Sequence, residues 1–328
     1  MSIKQVYPQD DISSQPLVSF IVTTYNLPVE YLLECIRSII TLSLRPQDRE
    51  IIVIDDGSDV SPINDILDIR NDIIYVRQKN QGLSAARNIG IRIATGSYIQ
   101  FIDSDDTLIR TPYEHCLDIV RYHKPDIVLF NCTEKPKAET PMNFEGPVSG
   151  TEYMHNNNLR ASACGYIFNK NILLNLHFTI GILHEDEEFT PQLMLRAEHV
   201  FETNADAYHY RQREHSITHD RNIRHKIRRI NDIEHILYHL QEVSFTLPAI
   251  DRIALERRIA QLTMDYLYNI IDLTHSSNKL NKSIERLTKH GLFPLPDKKY
   301  TKKYTVFRRM IQSNIGKKLL ILSICKFK

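Results

Sequence analysis

Short apolar runs that alternate with helical patterns constrain the fold of this chain more than any other feature. The runs occupy residues 18–22, 51–54, 72–76, 98–102 and 126–130. A strand that is apolar along nearly its whole length is covered on both faces, which is typical of a parallel sheet. Between the runs, apolar residues recur at helical spacing. The alternation therefore predicts an α/β fold, with a mostly parallel sheet flanked by helices.

Polar side chains follow three of these runs. Tyr25, Asp56 and Asp103 each lie just past a predicted strand, at the carboxyl ends where open α/β sheets bind ligands. Asp103 also begins an acidic run that ends at Asp106. Asp103 and Asp105 are two residues apart, so in extended backbone their side chains point the same way. The run predicts either a divalent cation site that holds phosphates or a polar loop.

Six blocks of sequence, taken in order, resemble the family 2 glycosyltransferases of the GT-A fold. The blocks are residues 18–26, 50–58, 80–90, 101–106, 184–186 and 210–217, within a matching region of residues 16–218. One departure is Thr23, where many relatives have proline. The resemblance implies an inverting, metal-dependent hexosyltransferase. Such an enzyme moves a sugar from a nucleoside-diphosphate sugar, here expected to be UDP-linked, to a hydroxyl of a glycan or lipid-linked acceptor in surface polysaccharide synthesis.

The resemblance also implies roles for individual residues. Asp186 would be the general base that takes a proton from the acceptor hydroxyl. Tyr25 would stack on the nucleotide base, Asp56 would accept a hydrogen bond from that base, and Asp103 would reach the ribose. The complete set implied to bind the nucleotide sugar is Thr23, Tyr25, Asp56, Arg87, Asp103 and Arg211.

Structural roles are the alternative for several of these residues. Tyr25 could pack in the core, and Asp56 stands in an Asp-Gly-Ser turn signal. Arg87 could hold the diphosphate, pair with a neighbouring aspartate or lie on a helix surface. Acids in the first turn of a helix, such as Asp186, favour the helix dipole. The acids at 185–188 also crowd one another, which predicts raised carboxyl pKa values.

Mn²⁺ or Mg²⁺ is the expected cofactor, with Asp105 as a ligand and His215 as a second candidate. These cations use few carboxylates together with substrate phosphates, so one or two acids suffice. His215 belongs to a cationic group with Arg211 and Arg213 that could instead close over the diphosphate, and a lone histidine is more often structural. Asp106 is expected to cap a helix or a turn.

Other classes of protein match these patterns less well. A sugar nucleotidyltransferase favours a Gly-rich, basic loop after the first strand, and residues 24–28 lack one. A Rossmann dehydrogenase needs a Gly-x-Gly-x-x-Gly sequence there. A non-catalytic nucleotide-sugar or glycan binding module stays open, although intact Asp103, Asp105 and Asp186 argue against it. No nucleic acid partner is expected, because no recognised motif accompanies the basic tail.

The alternation of strands and helices stops after about residue 135. Residues 135–150 are rich in Pro, Glu, Lys and Gly and are predicted to form a loop, whereas residues 221–243 and 250–274 carry apolar residues at helical spacing and predict helices.

The domain organisation follows from where the alternation stops. We predict a lead-in over residues 1–15, a glycosyltransferase domain over 16–220 and a helical region over 221–328 that ends in a basic amphipathic tail. The net charge is +1, yet residues 297–328 hold ten Lys or Arg and one Asp, interleaved with apolar residues. Such a tail suits an anionic membrane surface, or it packs on its own domain.

The cellular location is inferred from three features. The N-terminus lacks the apolar core of a signal peptide, and the apolar runs are too short to span a bilayer. The five cysteines are scattered and lack metal-ligand spacing, as in a reducing compartment. These features predict a cytoplasmic protein, peripheral on the inner membrane face if the tail binds lipid.

Overall fold

Residues 15–70, 72–135, 142–212 and 222–326 are described by a computed structural model of the chain. Within these residues, nine strands form one sheet. The strands are β1 (Val18–Thr24), β2 (Arg49–Asp55), β3 (Ile74–Arg77), β4 (Tyr98–Asp103), β5 (Thr107–Leu108), β6 (Ile127–Thr133), β7 (Phe144–Val148), β8 (Tyr166–Asn169) and β9 (Val200–His209). Their order is β3-β2-β1-β4-β8-β6-β9-β5, and β7 also pairs with β9.

The first half of the sheet is parallel and carries the polar edge. β1 lies between β2 and β4, and Thr23 is opposite both Ile54 and Asp103. Because these strands run in the same direction, the residues that follow them meet at one edge. Beyond β4, β8 is antiparallel to both of its neighbours, whereas β6 and β9 pair in parallel. The predicted α/β fold is confirmed, with a sheet whose second half is mixed.

Helices cover this sheet, and one of them packs unusually close to it. The helices are α1 (Val29–Ile40), α2 (Ile63–Ile69), α3 (Leu83–Ile93), α4 (Arg110–His123), α5 (Gly150–Asn156) and α6 (Glu185–Met194). A Cβ added at Gly90 of α3 would lie 2.3 Å from the Ile21 side chain of β1. Only glycine therefore lets α3 approach β1 this closely.

Asn26, two residues before Pro28, is of a type that often caps helices, but it does not cap α1. Pro28 precedes the helix, and no side chain caps it. The Asn26 amide instead exchanges hydrogen bonds with Asp59, at 2.7 and 3.2 Å. The residue thus ties the loop after β1 to the loop after β2.

The segment predicted as a loop over residues 135–150 contains a strand, so that prediction was wrong in part. β7 occupies Phe144–Val148 and pairs with β9 in antiparallel register. Most of β7 is exposed, and it holds Gly146 and Pro147. Glycine and proline weaken a strand pattern and are tolerated at sheet edges, which explains why the composition pointed to a loop.

The remainder is helical, as the patterns over 221–243 and 250–274 predicted. The helices are α7 (Ile223–Thr246), α8 (Ala249–Thr274), α9 (Ser277–Lys289), α10 (Lys302–Ile311) and α11 (Asn314–Lys326). α8 contacts α5, where the Thr151 hydroxyl donates to the Asp251 carboxylate at 2.6 Å. No helix among the described residues combines the length and the apolar character needed to cross a bilayer.

Candidate active site

The loop after β1 places Tyr25 at the polar edge. Its ring is 53% exposed, so the alternative that it packs in the core is wrong. The next residue, Asn26, adopts a positive φ of 46° and donates its backbone N–H to the Ser58 hydroxyl at 2.9 Å. The link holds an exposed aromatic face beside the residues that follow β2.

Asp56 is buried at the end of β2 and organises a second loop. Its Oδ1 accepts from the Gln81 backbone N–H at 2.9 Å and from the Gln78 amide at 2.5 Å. Its Oδ2 accepts from the Gly82 N–H at 2.8 Å. A carboxylate oxygen can accept two hydrogen bonds, so Oδ2 retains one acceptor position. The structural role of Asp56 is therefore present and leaves room for a ligand donor.

The acids of the run at 103–106 have different surroundings. Asp103 and Asp105 are partly exposed, whereas Asp106 is buried. The Asp106 carboxylate accepts from the Tyr208 hydroxyl at 2.7 Å and from the Arg211 backbone N–H at 2.8 Å. Burial, together with the charge of Asp103, raises the pKa of Asp106 to about 8. Asp106 thus anchors the end of β9. Of the two expected roles, a helix cap or a turn cap, the helix cap is wrong, since α4 follows Ile109.

Arg87 connects the run to the start of α6. It is 4% exposed, donates to Asp103 at 3.1 Å and to Glu185 at 2.5 Å. Burial alone would lower its pKa, but the charges of Asp103 and Glu185 raise the pKa above its usual value. The surface-charge interpretation of Arg87 is therefore wrong, and the pairing with a neighbouring aspartate is confirmed. Its second partner, Glu185, was not anticipated.

Asp186 lies in the first turn of α6, after His184 in a left-handed conformation with φ 62°. Its neighbours Glu185, Glu187 and Glu188 pair with Arg87, Arg258 and His239, respectively. Protein atoms surround most of the Asp186 carboxyl. Burial first, then the charges of Glu185 and Glu187, raise its pKa well above the usual range. Crowding was expected to have this effect, although burial is the larger cause.

Arg211 lies against α1 in this structure. Its guanidinium pairs with Glu34 and lies 4.7 Å from the centre of the Tyr31 ring. Its backbone N–H is bound by Asp106, so the base of the side chain is fixed at the polar edge. His215 and Arg213 lie outside the described residues.

The described residues offer a small set of ligands for a divalent cation. They contain no group of three or more His, Cys, Asp or Glu side chains that could hold a metal ion. Two carboxylates, Asp103 and Asp105, stand at the end of β4, and Arg87 occupies one oxygen of Asp103. Mg²⁺ and Mn²⁺ are commonly held by one or two carboxylates plus waters and substrate phosphates. The donor set is compatible with such a cation only if a phosphate ligand joins it.

Three functional neighbours could not be identified from sequence. Glu185 was visible only as one of four consecutive acids. The Tyr208 hydroxyl accepts from the Asp103 backbone N–H at 3.1 Å and donates to the Asp106 carboxylate. No sequence pattern on β9 identifies Tyr208 as a site residue. Glu34 lies on α1 and is 177 residues from its partner Arg211. All three depend on distant pairings that local patterns do not encode.

The known proteins that this chain resembles are glycosyltransferases. The sequence model described as "Glycosyl transferase family 2" matches residues 19–174. The chain is 31% identical over 222 residues to Glycosyltransferase GlyA of Streptococcus pneumoniae, covering 61% of this chain and 31% of GlyA. It is 28% identical over 207 residues to Minor teichoic acid biosynthesis protein GgaB of Bacillus subtilis, covering 60% of this chain and 23% of GgaB. The match thus spans less than a third of either relative.

A solved structure extends the likeness to the helical region. The fold is similar to that of S. aureus TarS 1–349 in complex with UDP-GlcNAc, with a TM-score of 0.70 and 16% identity. The superposition covers 95% of this chain and 92% of that one, and at this identity it shows the fold alone. Residues 19–174 are thus similar to glycosyl transferase family 2, and the fold of the chain is the GT-A fold expected from the six sequence blocks.

Proposed function

We propose that the protein is an inverting glycosyltransferase that moves a sugar from a UDP-linked donor to a hydroxyl of a glycan or lipid-linked acceptor. The observation that carries this proposal is the bridge made by Arg87. It joins Asp103, at the end of β4, to Glu185, the residue beside Asp186. The proposed donor anchor and the helical turn that carries the candidate base are thereby joined by one buried side chain.

Donor binding follows from the polar edge. Tyr25 offers its exposed ring to the nucleotide base, and Oδ2 of Asp56 retains an acceptor position for a base N–H. The partly exposed oxygen of Asp103 reaches the ribose, and Thr23 lines the edge beside it. Arg211 binds the diphosphate after it leaves Glu34. The UDP-GlcNAc bound by TarS, which shares the fold, supports UDP as the nucleotide.

A divalent cation, Mn²⁺ or Mg²⁺, completes the proposed donor site. Asp105 is its ligand, Asp103 lies near enough in sequence to assist, and His215 is a further candidate. When bound, the cation neutralises charge that builds on the leaving diphosphate.

Asp186 acts as the general base in this scheme. It accepts the proton of the acceptor hydroxyl as that oxygen attacks the anomeric carbon. The bond to the diphosphate breaks on the opposite face, so the configuration inverts. Its raised pKa makes the carboxylate a stronger base than an exposed aspartate, provided that the pH keeps it ionised.

Replacing Asp186 by Asn tests the proposal. We expect transfer to fall at least a hundredfold, since general bases contribute about 10²–10⁴, while UDP binding measured by thermal shift stays within a few-fold. Asp118→Asn, an exposed acid on α4, is the matched control. Full transfer by the Asp186 variant would show that another group is the base. If no UDP compound stabilises the wild-type protein, the proposal that UDP is the donor nucleotide is rejected.

The acceptor is proposed from the relatives and the tail. GgaB is named as a minor teichoic acid biosynthesis protein, which supports a cell-surface polymer as the product. We further propose that the tail binds the anionic inner membrane face. Tyr304 and Phe307 of α10 are buried, so the tail does pack on its own domain, as one interpretation predicted.

One face of α11 nevertheless stays exposed. Ile315, Leu319 and Leu322 recur at helical spacing and are 75%, 52% and 59% exposed, beside exposed Lys318. We expect the protein to sediment with phosphatidylglycerol vesicles and not with phosphatidylcholine. Leu319→Glu should reduce this binding, and Val60→Glu, at an exposed position before α2, should not. Equal sedimentation of the wild type and the Leu319 variant would show that this face of α11 does not bind the membrane.

A further inference from the structure

A cavity of about 300 Å³ opens at the start of α6, the helix that carries the proposed base. His184 lines it and precedes Asp186 by two residues, which limits their Cα separation to roughly 7 Å. The other walls come from α7 and α8. Arg87, which also binds Asp103 at the end of β4, pairs with Glu185 in the first turn of α6. His184, which directly precedes this turn, lines the cavity. A ligand in the cavity therefore lies beside the turn of α6 that carries the proposed base.

The cavity has one cationic wall. Lys226 and Arg229 are three residues apart on α7, which places them on one helix face, and both line the cavity. Lys226 is partly buried. Within the described ranges, no side-chain hydrogen bond or ion pair engages its ammonium group. A half-buried ammonium gains most from an anion that can reach it.

The opposite wall and the floor have different chemistry. Asn269 and Asp272 of α8 offer an amide and a carboxylate, groups that bind hydroxyls. Ile230, Ile233 and Leu273 supply apolar contacts. A site with a cation on one side, hydroxyl-binding groups on the other and an apolar floor suits a sugar or polyol that carries a phosphate.

The acids of α6 do not cancel the cationic wall. Glu185, Glu187 and Glu188 pair with cationic side chains or histidine outside the cavity lining. Burial, with Arg229 acting in the same direction, lowers the pKa of His184, so at neutral pH its ring enters the cavity uncharged. Asp272 is the acid within the lining of this cavity, so the attraction for a phosphate is centred on the α7 wall, where the Lys226 ammonium lies.

We propose that this cavity is an acceptor subsite that binds a phosphate adjoining the glycosylated unit. The inference rests on the proposed transferase function, because it takes Asp186 as the point where the acceptor hydroxyl reacts. The phosphate belongs either to a phosphodiester within a polyol phosphate chain or to the diphosphate of a lipid-linked carrier. Both present the same anionic group to Lys226.

Binding to the full-length protein saturated with UDP tests the subsite. Bound UDP fills the donor diphosphate position, so added phosphate compounds report on a second site. The probes are a glycerol phosphate trimer, farnesyl diphosphate and glycerol, measured by calorimetry. We expect one or both phosphate probes to bind and glycerol not to. Tighter binding of the trimer identifies a polymer source, and tighter binding of farnesyl diphosphate a lipid-linked one.

Variants of Lys226 decide whether the cavity is responsible. Lys226→Met should weaken phosphate binding at least tenfold, the loss expected for one charged hydrogen bond. Lys226→Arg should stay within a few-fold, and Lys282→Met, at an exposed position on α9, should match wild type. The effect should shrink at high salt. Equal binding by Lys226→Met, or no binding of either phosphate probe, would overturn the subsite. Separate measurement of UDP binding shows whether the transferase proposal itself has failed.

Discussion

Removing the Arg87 guanidinium is predicted to destabilise the protein through one partner in particular. Glu185 is 7% exposed and Arg87 is 4% exposed, so Arg87→Met leaves a buried carboxylate without its cation. Breaking such a pair costs about 3–5 kcal/mol. The Asp103 side chain is 38% exposed, so water can replace Arg87 there at little cost. At about 2 °C per kcal/mol for a large domain, Tm should fall by roughly 6–10 °C.

A double variant tests this reasoning directly. If the penalty arises from unpaired Glu185, then Arg87→Met with Glu185→Gln should recover about 2 kcal/mol relative to Arg87→Met alone. Arg87→Lys keeps the charge but not the two-pronged geometry, and it should lie between wild type and the Met variant. Arg92→Met, an exposed position on the same helix, should change stability by less than about 0.5 kcal/mol. Urea unfolding followed by circular dichroism measures all four. A double variant no more stable than Arg87→Met would refute the assignment to Glu185.

Three further predictions concern other parts of the fold. Burial would raise the pKa of Glu234, but the Arg286 guanidinium and two tyrosine hydroxyls lower it to about 2. A depressed carboxyl pKa stabilises the folded state above about pH 4.3. In urea at pH 7, Glu234→Gln should therefore be less stable than the wild type, and this difference in stability should narrow as pH falls toward 3. Gly90→Ala should cost about 1–3 kcal/mol in thermal melts by overpacking, and the loss should be smaller in an Ile21→Ala background, which lacks the Cγ2 methyl that lies 2.3 Å from the added Cβ; no loss in the wild-type background would mean that α3 can shift. Glu34→Gln should tighten UDP binding several-fold in calorimetry, since Arg211 then leaves no ion pair behind, and unchanged affinity would argue against a diphosphate role for Arg211.

Local patterns were sufficient for the parallel half of the fold. Continuous apolar runs mark β1, β2 and β4 because both faces of those strands are covered. Their shared direction then places Tyr25, Asp56 and Asp103 at one edge without further information. β7 was not predicted, because an exposed edge strand is not covered on both faces and so needs no apolar run. Its pairing with β9 involves backbone groups, which side-chain patterns do not report.

The same distinction between local patterns and distant pairings applies to the candidate site. Positions that follow a strand could be assigned in advance, whereas partners could not. Arg87 was recognised as a cation near the acids, but its burial and its bond to Glu185 depend on α6, 98 residues away. The Arg211–Glu34 pair likewise depends on α1 lying against the end of β9. A sequence motif identifies a charged side chain, and only the fold determines which opposite charge neutralises it.

The pairing of acids on α6 bears on which of them is the base. Glu185, Glu187 and Glu188 each have a cationic or histidine partner. Among residues 15–70, 72–135, 142–212 and 222–326, no cation pairs directly with Asp186. Burial and the neighbouring carboxylates raise the pKa of Asp186, which makes its ionised form a stronger base. Four consecutive acids are equivalent in sequence, but their partners leave Asp186 as the one suited to accept a proton, and this asymmetry supports the proposed mechanism independently of the family resemblance.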